Sequence, residues 1–148
     1  AGNVGIEPRR GGGSGDQQIV VNFAGPVSAA AGNVVSVTSG TGVVSSVSYS
    51  GTQATINLTG VTNAQRLTVT LSNVSDGTNT GGVSIPMGVL LGDVSGDGLT
   101  NGGDALQTRA RSGQTTDGMN YRFDVNTDGI VSGGDTLIVR GQSGNFLP

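Results

Sequence analysis

The chain has 148 residues, a formal charge of −3, and no His, Cys, Lys or Trp. This composition excludes a Ser-His-Asp triad, a His-ligated catalytic zinc, a disulfide framework and any lysine-based mechanism. No basic footprint for nucleic acid is present, and no run approaches the ~20 apolar residues that a membrane helix needs, so neither nucleic-acid binding nor membrane insertion is expected.

The length allows two small domains of about 90 and 55 residues. The predicted division is 1–91 and 92–148. In chain order, Ala1–Arg10 alternates Val4 and Ile6 and then reads Glu7-Pro8-Arg9-Arg10, a short edge strand that Pro8 would end. Gly11–Gly15 reads as a flexible connection. Strands are predicted at Asp16–Ala24, Asn33–Thr38, Gly42–Tyr49, Gln53–Leu58, Arg66–Asn73 and Gly82–Leu91, where apolar residues such as Ile56 and Leu58, or Leu67, Val69 and Leu71, recur with period two. Clusters such as Ser39-Gly40-Thr41-Gly42 and Asp76-Gly77-Thr78-Asn79 punctuate them as turns. The fold class expected is mainly β with a small α part: an antiparallel β-sandwich, immunoglobulin-like or cohesin-like in outline, followed by a small α-containing domain.

Two copies of one stretch occupy that second domain. Asp93-Val94-Ser95-Gly96-Asp97-Gly98-Leu99-Thr100-Asn101-Gly102-Gly103-Asp104 is repeated as Asp124-Val125-Asn126-Thr127-Asp128-Gly129-Ile130-Val131-Ser132-Gly133-Gly134-Asp135. Each places oxygen-bearing side chains at positions one, three, five, nine and twelve, with Gly at six and an aliphatic residue at seven whose carbonyl can also coordinate. That is the ligand layout of an EF-hand-type calcium loop. The candidate ligands are Asp93, Ser95, Asp97, Leu99, Asn101 and Asp104 for one Ca2+, and Asp124, Asn126, Asp128, Ile130, Ser132 and Asp135 for a second. Three aspartates within twelve residues repel one another unless a cation lies between them. The twelfth ligand is Asp rather than the usual Glu. With an offset of 31 residues, Leu106 matches Leu137, Arg109 matches Arg140, and Ser112-Gly113 matches Ser143-Gly144. Each loop is therefore followed by about two helical turns, Asp104–Arg111 and Asp135–Gln142. Further ions at an interface, drawing on Glu7, Asp76 or Asn79, are a secondary expectation whose spacing matches no known loop.

On these residues, 92–148 resembles a dockerin type I domain, and the β-rich start followed by such a unit resembles the C-terminal region of large secreted bacterial proteins. The resemblance implies two bound calcium ions and a protein partner of the cohesin type. At the tenth and eleventh loop positions, which dockerins use to contact the partner, this chain has Gly102-Gly103 and Gly133-Gly134.

Catalysis is not expected. The only Glu is Glu7, and outside the loops Asp16, Asp76 and Asp117 stand mostly in turn contexts, not as the carboxyl pair of a glycosidase. The leading expectation is a non-catalytic, calcium-dependent assembly module, extracellular or at a bacterial cell surface, whose partner is another copy of the same chain in an oligomer or fibre. In that reading Ala1–Arg10 adds as a strand to a neighbour's sheet. The alternative is a targeting tail that docks a larger secreted hydrolase onto a cohesin-like scaffold.

Overall fold

The computed structural model describes residues 4–13 and 15–148. The first three residues of the N-terminal strand expectation, and Ser14 of the Gly-rich connection, lie outside the described residues. Among the described residues, seven strands and two helices follow one another: β1 (Ile6–Glu7), β2 (Gln17–Asn22), β3 (Ser28–Ser39), β4 (Val43–Ser50), β5 (Gln53–Thr59), β6 (Gln65–Ser75), β7 (Thr80–Val89), α1 (Gly102–Arg109) and α2 (Gly133–Gly141). They fall into two compact units. One consists of Gly11–Thr62 with Leu67–Pro86; the other of the described residues up to Arg10, Asn63–Arg66 and Met87–Pro148.

The first unit holds the β-sheets. Strands β7, β6 and β3 lie side by side in one sheet, and β2, β5 and β4 in the other. Burial alternates along β5 and β6, as period-two strands with one face turned inward require. Ala54, Ile56 and Leu58 on β5, with Leu67, Val69 and Leu71 on β6, are almost fully excluded from solvent. Several outward-facing polar residues are bonded across strands: Gln18 donates to Asn57 at 2.9 Å, Asn57 donates to Ser46 at 2.9 Å, and the hydroxyls of Thr38, Thr70 and Ser84 form a chain with 3.0 Å steps. Strand β3 starts at Ser28 rather than at the expected Asn33. The small residues Ser28–Ala31 show no apolar alternation, but a register shift between Ala29 and Val34 lets Ser28 and Ala29 pair with Ser75 and Val74.

In the second unit, β1 pairs in parallel with the end of β7, Ile6 opposite Gly88 and Glu7 opposite Val89. The described part of the N-terminal segment thus lies on the chain's own strand. The strand ends at Glu7, just before Pro8, as expected, but Pro8 still takes one bond, because proline lacks only the N–H. Its carbonyl accepts from the Gly92 amide at 2.8 Å, and the Arg10 amide then donates to the Val125 carbonyl at 2.6 Å. The helices start earlier than the apolar pattern predicts, at Gly102 and Gly133, because Asn101 and Ser132 cap them. Each cap side chain accepts from backbone, while Asp104 or Asp135 reaches back to the cap's own amide. A single 3-10 turn, Tyr121–Phe123, occupies a segment whose length predicts no helix. The core of this unit is small: Val94, Ala105, Phe123, Val125, Val131 and Val139, flanked by Leu91 and Ile138.

Candidate metal centre

Both twelve-residue loops are wound around their own first and last carboxylates. In the first, Asp93 Oδ1 accepts from the Gly96 and Asp97 amides at 2.8 and 3.2 Å and from the Ser95 hydroxyl at 3.1 Å, while Oδ2 accepts from the Gly98 amide at 2.8 Å. Asp104 closes the loop, taking the Ser95 amide on Oδ1 and the Asn101 amide on Oδ2. The second loop repeats this pattern. Asp124 accepts from the amides of Asp128 and Gly129, and Asp135 accepts from those of Asn126 and Ser132. Asp97 and Asp128, the fifth residues, bond the amides of Leu99 and Ile130. The sixth-position glycines, Gly98 and Gly129, have φ of +88° and +93°, a left-handed turn that a side chain would strain.

The structure therefore separates the twelve predicted ligands into two groups. Asp93, Asp104, Asp124 and Asp135 are buried. Asp97, Asp128, Ser95, Leu99 and Ile130 are exposed, and Asn101, Asn126 and Ser132 are half-buried. Among the described residues no three acidic side chains converge as a ready-made cluster. Asp97 and Asp128 instead turn toward backbone amides.

Two observations test the fit to a cation. The donors are oxygens throughout, as a hard divalent ion prefers. None of the four buried carboxylates forms an ion pair: the one ion pair among the described residues joins Arg9 to Glu7 at 2.7 Å, and the Arg9 charge acts on Asp124 only through space. Buried charge is ordinarily paired or bound to metal, so the donor set fits calcium. The residues suggested for interface ions are occupied locally. Glu7 holds Arg9, whose guanidinium is pushed above its usual range mainly by that hydrogen bond. Asp76 accepts from the amides of Thr78 and Asn79, which hold its carboxyl below the ordinary range.

Two functional side chains are not legible in the sequence. The Thr116 hydroxyl donates to Asp124 Oδ2 at 2.7 Å, and nothing in the spacing marks it. Arg122 is the second. Its guanidinium donates to the carbonyls of Asp93, Val94 and Ile6 at 3.2, 3.2 and 3.0 Å. An Arg just before the second loop reads as a surface charge until the fold brings the first loop to it. Replacing it leaves three partly buried carbonyls without a donor, and hydrogen bonds from a charged group contribute more than neutral ones. Arg122→Ala is expected to destabilise the protein by about 2–3 kcal/mol in urea unfolding, and Arg122→Lys to recover little, since an ammonium lacks the planar fork. A loss within experimental error for Arg122→Ala would refute this role. Arg111, the last residue of the first predicted helix, stacks over the Phe123 ring at 3.8 Å.

Beside the loops, α1 and α2 carry a cleft of about 370 Å³ lined by Gly102, Ala105, Leu106, Arg109, Thr136, Arg140 and Ser143. Leu106 and Leu137, the repeat-related pair, are 67% and 68% exposed, unusually open for leucines on short helices. Compared along its whole length, the chain matches no curated protein and no solved structure. Residues 91–142, both loops and both helices, match the family model of the dockerin type I domain, a non-catalytic kind of module that binds calcium in EF-hand-like loops and follows a β-rich N-terminal region here.

Proposed function

We propose that the C-terminal unit is a calcium-ordered docking module that joins this polypeptide to a cohesin-like protein partner. The observation that supports it most is the dockerin match spanning two loops whose buried carboxylates form no ion pair among the described residues. Asp93, Ser95, Asp97, the Leu99 carbonyl, Asn101 and Asp104 would hold one calcium ion. Asp124, Asn126, Asp128, the Ile130 carbonyl, Ser132 and Asp135 would hold the other. Calcium supplies charge neutralisation and a fixed centre for each loop; the chain's own capping boxes then aim α1 and α2.

The partner would rest on the exposed faces of those helices. Gly102-Gly103 and Gly133-Gly134 offer it no side chains, which moves recognition to Leu106, Arg109, Leu137 and Arg140. Aliphatic anchors beside cationic rims are a usual interface chemistry. Extracellular calcium modules have Kd values of about 10⁻⁴–10⁻³ M, and loops of such affinity would fill outside the cell, in keeping with a secreted or surface-bound protein. The β-rich unit is read as a non-catalytic attachment.

The test is binding of the full chain to a panel of cohesin domains by surface plasmon resonance, with calcium and then with chelator. The expected result is binding in calcium that is lost in chelator and weakened at least about tenfold by Leu106→Asp with Leu137→Asp. No binding to any cohesin, together with calcium-dependent growth of particles of this chain alone in light scattering, would replace this reading with self-assembly.

A further inference from the structure

The pairings that hold the two loops are crossed. The segment that leaves α1 is bonded to the second loop. The Gly113 amide donates to the Val131 carbonyl at 2.8 Å, the Val131 amide to the Gln114 carbonyl at 2.9 Å, and the Thr116 amide to the Gly129 carbonyl at 2.9 Å. The segment that leaves α2 is bonded to the first loop. The Gly144 amide donates to the Thr100 carbonyl at 2.8 Å, the Thr100 amide to the Asn145 carbonyl at 2.9 Å, and the Leu147 amide to the Gly98 carbonyl at 3.0 Å. Leu99 faces Phe146, as Ile130 faces Thr115, in an isolated antiparallel bridge. Every one of these bonds has its counterpart at the 31-residue offset.

We infer that the segment Gly144–Leu147 after α2 is a positioning element of the first metal loop, as much a part of that site as the loop's own turn. This inference rests on the calcium reading above. The sixth, seventh and eighth residues of the loop, Gly98, Leu99 and Thr100, include the one backbone carbonyl among the ligands, that of Leu99. Its neighbours on both sides are pinned by Gly144–Leu147, which fixes the direction of the intervening peptide. Nothing inside the loop substitutes for it: Asp93 and Asp97 hold the amides of Gly98 and Leu99, whereas the Thr100 amide and the Gly98 and Thr100 carbonyls go to Gly144–Leu147. That segment lies outside the dockerin match, which ends at residue 142.

The symmetry also exposes an inequality. Thr116, the residue equivalent to Leu147, adds a hydroxyl bond to Asp124 Oδ2; Leu147 can add none to Asp93. The second loop is braced by the connection between the two repeats and by one extra bond. The first is braced by Gly144–Leu147 through backbone contacts, and at its start by Arg122 on the Asp93 and Val94 carbonyls. The first loop is therefore the site whose affinity depends on the residues that follow α2.

The test is calcium titration of the full chain and of a variant lacking Asn145–Pro148. Calorimetry gives the number of ions, and the amide resonances of Gly98 and Gly129 report which loop fills. Two ions bind the full chain. In the shortened chain the first loop is expected to weaken by about ten- to a hundredfold, from the loss of two hydrogen bonds and of the order they impose, while the second changes by less than about threefold. Leu147→Pro, which removes one donor, is expected to give a smaller loss in the same loop; Leu147→Ala, which keeps the donor, leaves the loop near its original affinity. Thr116→Pro reverses the pattern and weakens the second loop.

Should the shortened chain not fold, amide exchange on the intact protein decides. The amides of Gly144 and Leu147 must gain protection as the first loop fills, in an Asp128→Asn background that disables the second. Equal weakening of both loops, an unchanged first loop, or unprotected Gly144 and Leu147 amides in the calcium form overturns the inference and leaves the calcium reading standing. A full chain that binds no calcium overturns both.

Discussion

Excess chelator is expected to unfold the C-terminal unit at room temperature while the β-sheet unit keeps its own melting transition. A ligand held at a hundredfold excess over its Kd stabilises the folded state by about 2.7 kcal/mol, so two such sites contribute about 5 kcal/mol. Small domains have about 5–15 kcal/mol in total. Here the balance is poor without metal. The hydrophobic cluster packed beneath the loops has six buried residues, of which four are valines and only Phe123 is large. Inside the same unit, Asp93, Asp104, Asp124 and Asp135 are buried, and none of them is in an ion pair among the described residues. Two carboxylates per loop, held close by the loop's own backbone, gain no relief from one another. Bound calcium would remove that repulsion and add the bonds that a scant core cannot. In scanning calorimetry the transition of this unit should fall by more than about 20 °C on chelation. The transition of the unit with Ile56, Leu58, Leu67, Val69 and Leu71 at its centre should move little. A single transition indifferent to chelator would show that the loops are Asp- and Gly-rich turns and nothing more.

The loops are legible in the sequence because calcium coordination is a matter of spacing. Position along twelve residues, with Gly where φ must be positive, is all that a reader needs to find Asp93 or Asp135. The strands are legible for a similar reason: Ile56, Leu58, Leu67 and Val69 alternate, and the alternation is the inward face. What lies beyond reading is every contact that joins distant segments through the backbone. Parallel pairing of Ile6–Glu7 with Gly88–Val89 leaves no local trace, because a two-residue strand has no period and its partner lies far along the chain. Crossed bracing of the loops by Gly113–Thr116 and Gly144–Leu147 is made by amides and carbonyls, which every sequence carries. The helix starts differ from expectation because Gly102 and Gly133 have low intrinsic preference for helix. The capping boxes of Asn101 with Asp104 and Ser132 with Asp135 override that preference. Arg122 reads as a surface charge because its three acceptors lie in the first loop and in β1, both remote in sequence. Alternation and glycines in the N-terminal segment suggest pairing with a neighbouring molecule, whereas its described part is bonded within the chain.

Asp97→Ala and Asp135→Ala are expected to part company once calcium is removed. Asp135 is inaccessible, and it accepts from the amides of Val125, Asn126 and Ser132 as well as the Ser132 hydroxyl. Truncating it strands three amides, at about 1–3 kcal/mol for each that stays buried. The loss, on the order of 3–5 kcal/mol, should be present with or without the ion. Asp97 is exposed and holds one amide, that of Leu99. Its removal should cost about 1 kcal/mol or less in chelator, yet abolish most of the stabilisation that calcium gives to the first loop, because a carboxylate is lost from a site with few ligands to spare. The two positions lie in different loops, and Asp128→Ala is expected to repeat the behaviour of Asp97→Ala in the second. Urea unfolding with calcium and with chelator, read for all three variants, separates the roles. Were Asp97→Ala to lose as much stability in chelator as Asp135→Ala, the exposed carboxylate would be a structural turn residue. Were it to lose nothing in calcium, it would not be a ligand. The fifth-position carboxylates are the side chains on which ion binding can be tested apart from folding, since the first and twelfth serve both.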